Sequence, residues 1–205
     1  MFPLRRLALA MIRASRMPAL SPGDSHVDYM HAMPWDIDPF GDLNNGRIVT
    51  LSDVGRVALA KRSGLLSTLK KRRWGFAMAG STPQYRRRIT MFEPLELHSR
   101  LIGRDQKFFY IEHNFYVRSQ AAANIMCRTV ITSKGRLVST DEVAQELGRT
   151  DWNPPLPDWV KNWAAADDQR PWPPTSDLPT TVETPQIAAD MLPADNIAVP
   201  KGCTA

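Results

Sequence analysis

Three carboxylates stand directly ahead of a stretch with helical periodicity, within residues 35–47: Asp36, Asp38 and Asp42. Pro39 and Gly41 favour a tight turn among them, and Asn44 or Asn45 can cap the helix that follows. The first N–H groups of a helix lack intrahelical acceptors and carry a partial positive charge, so they can bind an oxyanion. A carboxylate base beside an oxyanion site is what acyl transfer requires.

Asp38 is the first candidate for the catalytic carboxylate, and Asp42 is the second. A carboxyl group has an ordinary pKa near 4, so it needs burial or a neighbouring negative charge to become a base at neutral pH. If both side chains face one pocket, their repulsion would raise one of the two pKa values. The backbone N–H groups of Asn45 and Gly46 are the candidate oxyanion donors. In the alternative, structural interpretation Asp38 only caps the turn, and the asparagines only cap the helix.

Three motifs follow one another here: Asp36-x-Asp38, then Asp42-x-Asn44-Asn45-Gly46-Arg47, then Asp53-x-x-Arg56. Together they resemble the signature of hotdog-fold acyl-CoA thioesterases, in the branch that resembles 4-hydroxybenzoyl-CoA thioesterase. The resemblance runs from about residue 27 to about residue 133. It implies an antiparallel β-sheet wrapped around one long central helix, a homodimer or a dimer of dimers, and hydrolysis of acyl-CoA to a free acid and coenzyme A.

The resemblance also implies roles for individual residues. Asp38 would act as nucleophile or general base, and the amides of Asn45 and Gly46 would polarise the thioester carbonyl. Many relatives carry histidine at the position of Asp42, which leaves a second function open. In that alternative, the protein binds an acyl thioester or lipid at a membrane surface without hydrolysing it.

The hydrophobic pattern predicts an α+β chain: one strand, one long helix and then antiparallel strands. The first strand is expected at 26–36, and the helix at 45–63, ending before Gly64. The later strands are expected at 76–79, 84–91, 95–103, 107–117 and 123–132. The buried stripe of the helix is predicted to contain Ile48, Leu51, Gly55, Ala58 and Leu59, and its polar side Arg47, Arg56 and Lys61.

Composition divides the chain into three parts. Residues 1–25 form a basic amphipathic segment, residues 26–135 a hotdog domain, and residues 136–205 a helical and then Pro-rich, acidic extension. Helices are expected at 141–150 and 157–166, and little regular structure is expected beyond Pro171.

Charge is distributed unevenly along the sequence. Residues 1–140 hold 22 Lys and Arg against 10 Asp and Glu, whereas residues 141–205 hold 4 against 11. A basic body favours polyanionic partners such as the coenzyme A of an acyl-CoA substrate. The candidate phosphate ligands are Arg86, Arg88, Lys71 and Arg73. Strand alternation predicts that Arg87 points away from Arg86 and Arg88.

The first 20 residues contain four arginines and no acidic residue. Such a helix suits a peripheral contact with an anionic membrane, a targeting segment of the transit type, or packing on the domain. No apolar run is long enough to span a bilayer. With two cysteines in the chain, a reducing, cytoplasmic environment is expected. The sequence offers no metal-ligand spacing and implies no cofactor. A nucleic-acid partner is not expected, because no binding motif accompanies the basic charge.

Overall fold

The computed structural model describes residues 3–171. These residues divide into two compact units, the first ending at Lys161 and the second beginning at Asn162. The first unit holds the sheet and all the candidate site residues. The expectation of little regular structure beyond Pro171 concerns residues outside the described range.

The elements follow the predicted α+β order, and the sheet curls around one long helix, as in the hotdog fold. Helix α1 spans Leu4–Arg16, strand β1 Ser25–His31, and helix α2 Asn45–Arg62. After them come α3 (Leu65–Arg72), β2 (Gly75–Tyr85), β3 (Pro94–Arg104), β4 (Phe109–Val117), β5 (Gln120–Ser133), β6 (Arg136–Val138), α4 (Thr140–Glu146) and α5 (Asp158–Asp168). The antiparallel sheet has the order β1-β3-β4-β5-β2, and β6 pairs with β5.

Helix α2 is buried on more than one side. The predicted stripe of Ile48, Leu51, Gly55, Ala58 and Leu59 is buried. On a second face Val54 and Ala58 pack against Ala10 and Ala14 of α1. The small side chains of α1 allow two helices to approach closely. The prediction that Arg56 lies on a polar face was wrong: its exposed fraction is only 9%.

Gly55 marks the closest approach of α2 to the sheet. A Cβ atom there would overlap Ser99 Oγ and lie 2.9 Å from Leu97 Cδ2. We expect Gly55→Ala to lower the free energy of unfolding by about 1–3 kcal/mol, because overpacking forces backbone and side chains to shift. Urea denaturation measures this loss. Gly46→Ala is the matched control, since its Cβ would meet only Asn44 Oδ1 at 3.3 Å, and its effect should stay within about 1 kcal/mol. Equal effects would contradict the close packing.

The N-terminal basic segment is helical and contacts the domain. Arg13 Nη1 donates a hydrogen bond to the carbonyl of Tyr29, at 3.1 Å. Leu4, Leu9 and Ile12 nevertheless stay exposed. Between residues 3 and 171, no helix is both long and apolar enough to cross a membrane.

Several predicted boundaries differ from the structure. The first strand ends at His31, and Pro34–Asp36 form a short 3₁₀ helix, because Pro34 suits a helix start and cannot donate to a sheet. Strand β2 contains the strand predicted at 76–79 and continues to Tyr85, with an irregularity between Met78 and Gly80. Of the strand predicted at 84–91, residues 86–91 lie outside β2. Residues 70–72 of the basic cluster belong to α3.

Candidate active site

A tight turn holds the first candidate residue. The carbonyl of Asp38 accepts a hydrogen bond from Gly41 N at 3.1 Å, and Gly41 has a φ of +84°. Asp at the first position, Pro at the second and Gly at the fourth suit a type I turn. The bridge between Ile37 and Leu43 closes its base, and Asp38 N donates to the Asp42 carbonyl at 2.7 Å. The turn therefore brings the chain back to the start of α2.

The first turn of α2 leaves two backbone donors free. Asn44 is the N-cap, and its side chain accepts from Arg47 N at 3.2 Å. Its own N–H donates to the Asp36 carbonyl at 2.9 Å, which fixes the helix start against the loop. Within residues 3–171, no acceptor takes the N–H of Asn45 or Gly46. These are the unpaired donors expected of a helix N-terminus.

Asp38 lies on the groove at this helix start. The groove is lined by Trp35, Asp36, Ile37, Asp38, Pro39, Asn44, Gly46, Arg47 and Thr50. Asp38 Oδ1 accepts from Phe40 N at 2.9 Å and from Asp42 N at 3.2 Å. Asp38 thus caps the turn, as the structural interpretation expects. No donor of the described chain reaches Oδ2, so the turn fixes one oxygen and leaves the other without a hydrogen-bond donor.

Asp36 joins three parts of the site. Its side chain is fully buried, and Oδ2 accepts from Arg6 Nη2 of α1 at 2.6 Å and from Met33 N at 3.0 Å. Oδ1 lies 3.1 Å from Arg47 Nε in the first turn of α2. Sequence reasoning did not single out Asp36 as a site residue. Its place in the Asp36-x-Asp38 motif could have drawn attention to it. No sequence signal indicated its contact with Arg6, which lies 30 residues away along the chain.

Asp42 faces Arg88 and is not among the groove residues. Arg88 Nε donates to both Asp42 oxygens, at 2.8 and 2.9 Å, and Arg88 Nη2 donates to the Phe40 carbonyl at 3.1 Å. The Arg88 side chain is still 70% exposed. The structure therefore places one candidate phosphate ligand beside the loop, with its charge partly balanced by Asp42.

The other candidate phosphate ligands lie in different places. Arg86 is exposed and follows β2, and both its N–H and that of Arg87 donate to the carbonyl of Ala122. The alternation predicted for a strand therefore does not apply to these residues. Lys71 and Arg73 are exposed at the end of α3, which follows the C-terminal end of α2. Within one chain the structure does not bring them to the Asp38 loop.

His113 is packed inside the domain and hydrogen-bonded there. It is fully buried, and its Nδ1 lies 2.8 Å from Ser99 Oγ. Burial, followed by the charge of Arg56, lowers the pKa of His113 to about 3. The imidazole is therefore neutral at neutral pH.

Cys127 is also unsuited to act as a nucleophile. It is buried, and burial raises the pKa of its thiol to about 11. We expect Ellman's reagent to leave Cys127 unmodified at pH 8 in folded Cys203→Ala protein, because about one thiol in a thousand is then ionised. Unfolding in urea should release one reactive thiol per chain. Stoichiometric labelling of the folded protein would contradict this burial.

The sequence that forms this loop, helix and sheet matches a known protein family. A sequence model of the Thioesterase-like superfamily matches residues 23–164. The chain belongs to this superfamily. Protein THEM6 of Xenopus laevis is 29% identical over 167 residues, which cover 80% of this chain and 79% of that protein.

Solved structures show the fold of this thioesterase-like protein independently. The probable thioesterase YbaW from Escherichia coli superposes with a TM-score of 0.56 at 15% identity, covering 60% of this chain and 97% of that one. A Staphylococcus aureus protein solved in complex with CoA gives a TM-score of 0.53 at 8% identity, covering 67% and 91%. At these identities the likeness shows the shared hotdog fold.

Proposed function

We propose that this protein hydrolyses an acyl-CoA thioester to a free acid and coenzyme A. The observation that carries the proposal is the groove that Asp38 and Gly46 both line, with an unpaired helix N–H at Gly46 and another at the neighbouring Asn45. Membership of the thioesterase-like superfamily supports a thioester hydrolase in general. The structural neighbour solved with CoA supports the choice of the coenzyme A ester.

In the proposed reaction, Asp38 Oδ2 takes a proton from a water molecule as that water attacks the thioester carbonyl carbon. The N–H groups of Asn45 and Gly46 stabilise the negative charge that develops on the carbonyl oxygen. Collapse of this intermediate breaks the C–S bond, and the coenzyme A thiolate takes the proton held by Asp38 as it leaves, which returns Asp38 to its ionised form. One such donor is typically worth about 3–4 kcal/mol in the transition state. In the other route open to a carboxylate, Asp38 attacks the same carbon, the C–S bond breaks to release the coenzyme A thiolate, and water then hydrolyses the resulting anhydride to the free acid.

Asp42 contributes to this proposal through its neighbour. Its ion pair holds Arg88 beside the turn, where the guanidinium can meet a phosphate of coenzyme A. Arg86 is the second proposed ligand on the same chain. Lys71 and Arg73 would have to come from another subunit.

We also propose a homodimer. Strand β2 lies at the sheet edge, spans 11 residues, and has many exposed positions. A long unpaired edge is a template for pairing with a second strand. Light scattering should give about twice the 23.1 kDa mass of one chain. A monomer at the protein concentration of the assay would contradict the dimer.

A panel of aliphatic and aromatic acyl-CoAs tests the hydrolase. We expect release of free coenzyme A with at least one ester, at a rate well above that of the buffer. The rival function is binding at a membrane surface without hydrolysis, which the exposed Leu4, Leu9 and Ile12 of α1 favour. The rival function would be supported, and the hydrolase contradicted, if the protein binds acyl-CoA at micromolar concentration without turnover and also sediments with anionic vesicles.

A further inference from the structure

A second cavity lies at the opposite end of α2 from the groove. It has a volume of about 90 Å³, is partly open to solvent, and shares no lining residue with the groove. Arg56 in its wall is ten residues beyond Gly46, or about 15 Å along a helix that rises 1.5 Å per residue. Its walls are mainly apolar and include Leu59, Phe76, Leu101, Phe109, Ile111 and Val143.

Arg56 brings a buried positive charge to this cavity. Its side chain is 10% exposed, and its Nη2 donates to Asp53 Oδ1 at 2.8 Å. Within the described residues, its Nε and Nη1 are buried and have no hydrogen-bond acceptor. The guanidinium carbon lies 4.8 Å from the centroid of the Phe76 ring. A buried charged donor without an acceptor is costly, so these atoms indicate a missing partner.

A second guanidinium in the cavity lining also has a buried nitrogen without a hydrogen-bond acceptor among the described residues. Arg104 is 9% exposed, and its Nη1 donates to Thr140 Oγ1 at 3.2 Å and to Asp141. Its Nε is buried and has no acceptor in residues 3–171. The one carboxylate in the lining, Asp24, already accepts from Ser21 N at 2.8 Å. The buried polar groups of the cavity therefore favour an anion.

We propose that this cavity binds the anion of a small apolar carboxylic acid. The carboxylate accepts hydrogen bonds from the unpaired nitrogens of Arg56, and the hydrocarbon part contacts the apolar walls. The cavity is partly open to solvent, so the end of a hydrocarbon chain can extend through its mouth, whereas a volume of about 90 Å³ excludes the nucleotide part of coenzyme A. The site is separate from the Asp38 groove, and the proposal does not depend on hydrolysis there.

NMR titration of the full chain with sodium hexanoate, with 1-hexanol as the uncharged comparison, tests the site. We expect saturable hexanoate binding with the largest amide shifts at residues such as Ala60 and Leu101, and much weaker binding of hexanol. Arg56→Gln should raise the Kd for hexanoate by about tenfold or more, equivalent to about 1.4 kcal/mol. Arg100→Gln is the matched control, because Arg100 is half exposed and pairs with Glu112 outside the cavity.

Each of the following results would overturn the proposal: no saturable hexanoate binding, equal affinity for hexanol, or an unchanged Kd in folded Arg56→Gln protein. If Arg56→Gln does not fold, the comparison of hexanoate with hexanol on the unmodified protein decides alone. Asp38→Asn should bind hexanoate as the unmodified protein does. If the same amide shifts are lost in Asp38→Asn, hexanoate binds in the Asp38 groove, and the proposal of a second site is also overturned.

Discussion

Asp36→Asn should lower the free energy of unfolding by about 3 kcal/mol, the lower end of the range for breaking a buried ion pair. The Asp36 side chain is fully buried, while Arg6 and Arg47 are 16% and 18% exposed. An amide can still accept hydrogen bonds, but it leaves two largely buried guanidinium charges without a carboxylate. Because this loss is a large fraction of a typical domain stability, urea denaturation should resolve it clearly.

Two further variants separate the ion pair from a general effect of substitution. Asp158→Asn removes an exposed partner of Lys161 and should change stability by less than about 1 kcal/mol. In the double variant Asp36→Asn, Arg6→Gln, the loss should be smaller than the sum of the single losses, because the unpaired charge of Arg6 is also gone. Additive losses, or a loss below about 1 kcal/mol in Asp36→Asn, would contradict a shared buried pair.

Asp38→Asn should reduce kcat/KM for acyl-CoA hydrolysis by about 10²–10⁴-fold, the usual contribution of a general base. The asparagine oxygen can still accept from the N–H groups of Phe40 and Asp42 that Asp38 Oδ1 now accepts from. The turn should therefore persist, and stability should change by less than about 1 kcal/mol. The predicted combination is lost turnover in a folded protein, measured as coenzyme A release together with a urea curve.

Asp42→Asn, compared with Asp38→Asn, shows which of the two carboxylates acts as the base. The carboxylate of Asp42 is held by Arg88, so its removal should weaken acyl-CoA binding and raise KM more than it lowers kcat. A larger loss of kcat in Asp42→Asn than in Asp38→Asn would assign the base to Asp42. Full activity in both variants would remove the carboxylate mechanism altogether.

Local sequence signals predicted the central helix well. The 3.6-residue spacing of its apolar side chains, its asparagine cap and Gly64 beyond its end are all properties of nearby residues, and the helix is observed at Asn45–Arg62. What the sequence could not show is the second helix packed on it. Ala10 and Ala14 pack against Val54 although they lie about 40 residues earlier in the sequence. This contact is why α2 is buried on both faces.

The site was only partly predictable for the same reason. The loop, its turn and the helix cap are local, and the motif drew attention to Asp38, Asn45 and Gly46. The pairing of Asp36 with Arg6 and of Asp42 with Arg88 depends on chain segments 30 and 46 residues apart. The strand predicted through Arg86–Arg88 also stopped early, because the N–H groups of Arg86 and Arg87 share the Ala122 carbonyl after β2 ends.

In the proposed reaction, the start of α2 receives the thioester carbonyl. NMR titration with a non-hydrolysable ketone analogue of acyl-CoA, in which a CH₂ group replaces the sulfur, measures this directly. The N–H resonances of Asn45 and Gly46 should move downfield and reach saturation together with binding, since both donors gain an acceptor. Saturating analogue that leaves both resonances in place would contradict the account.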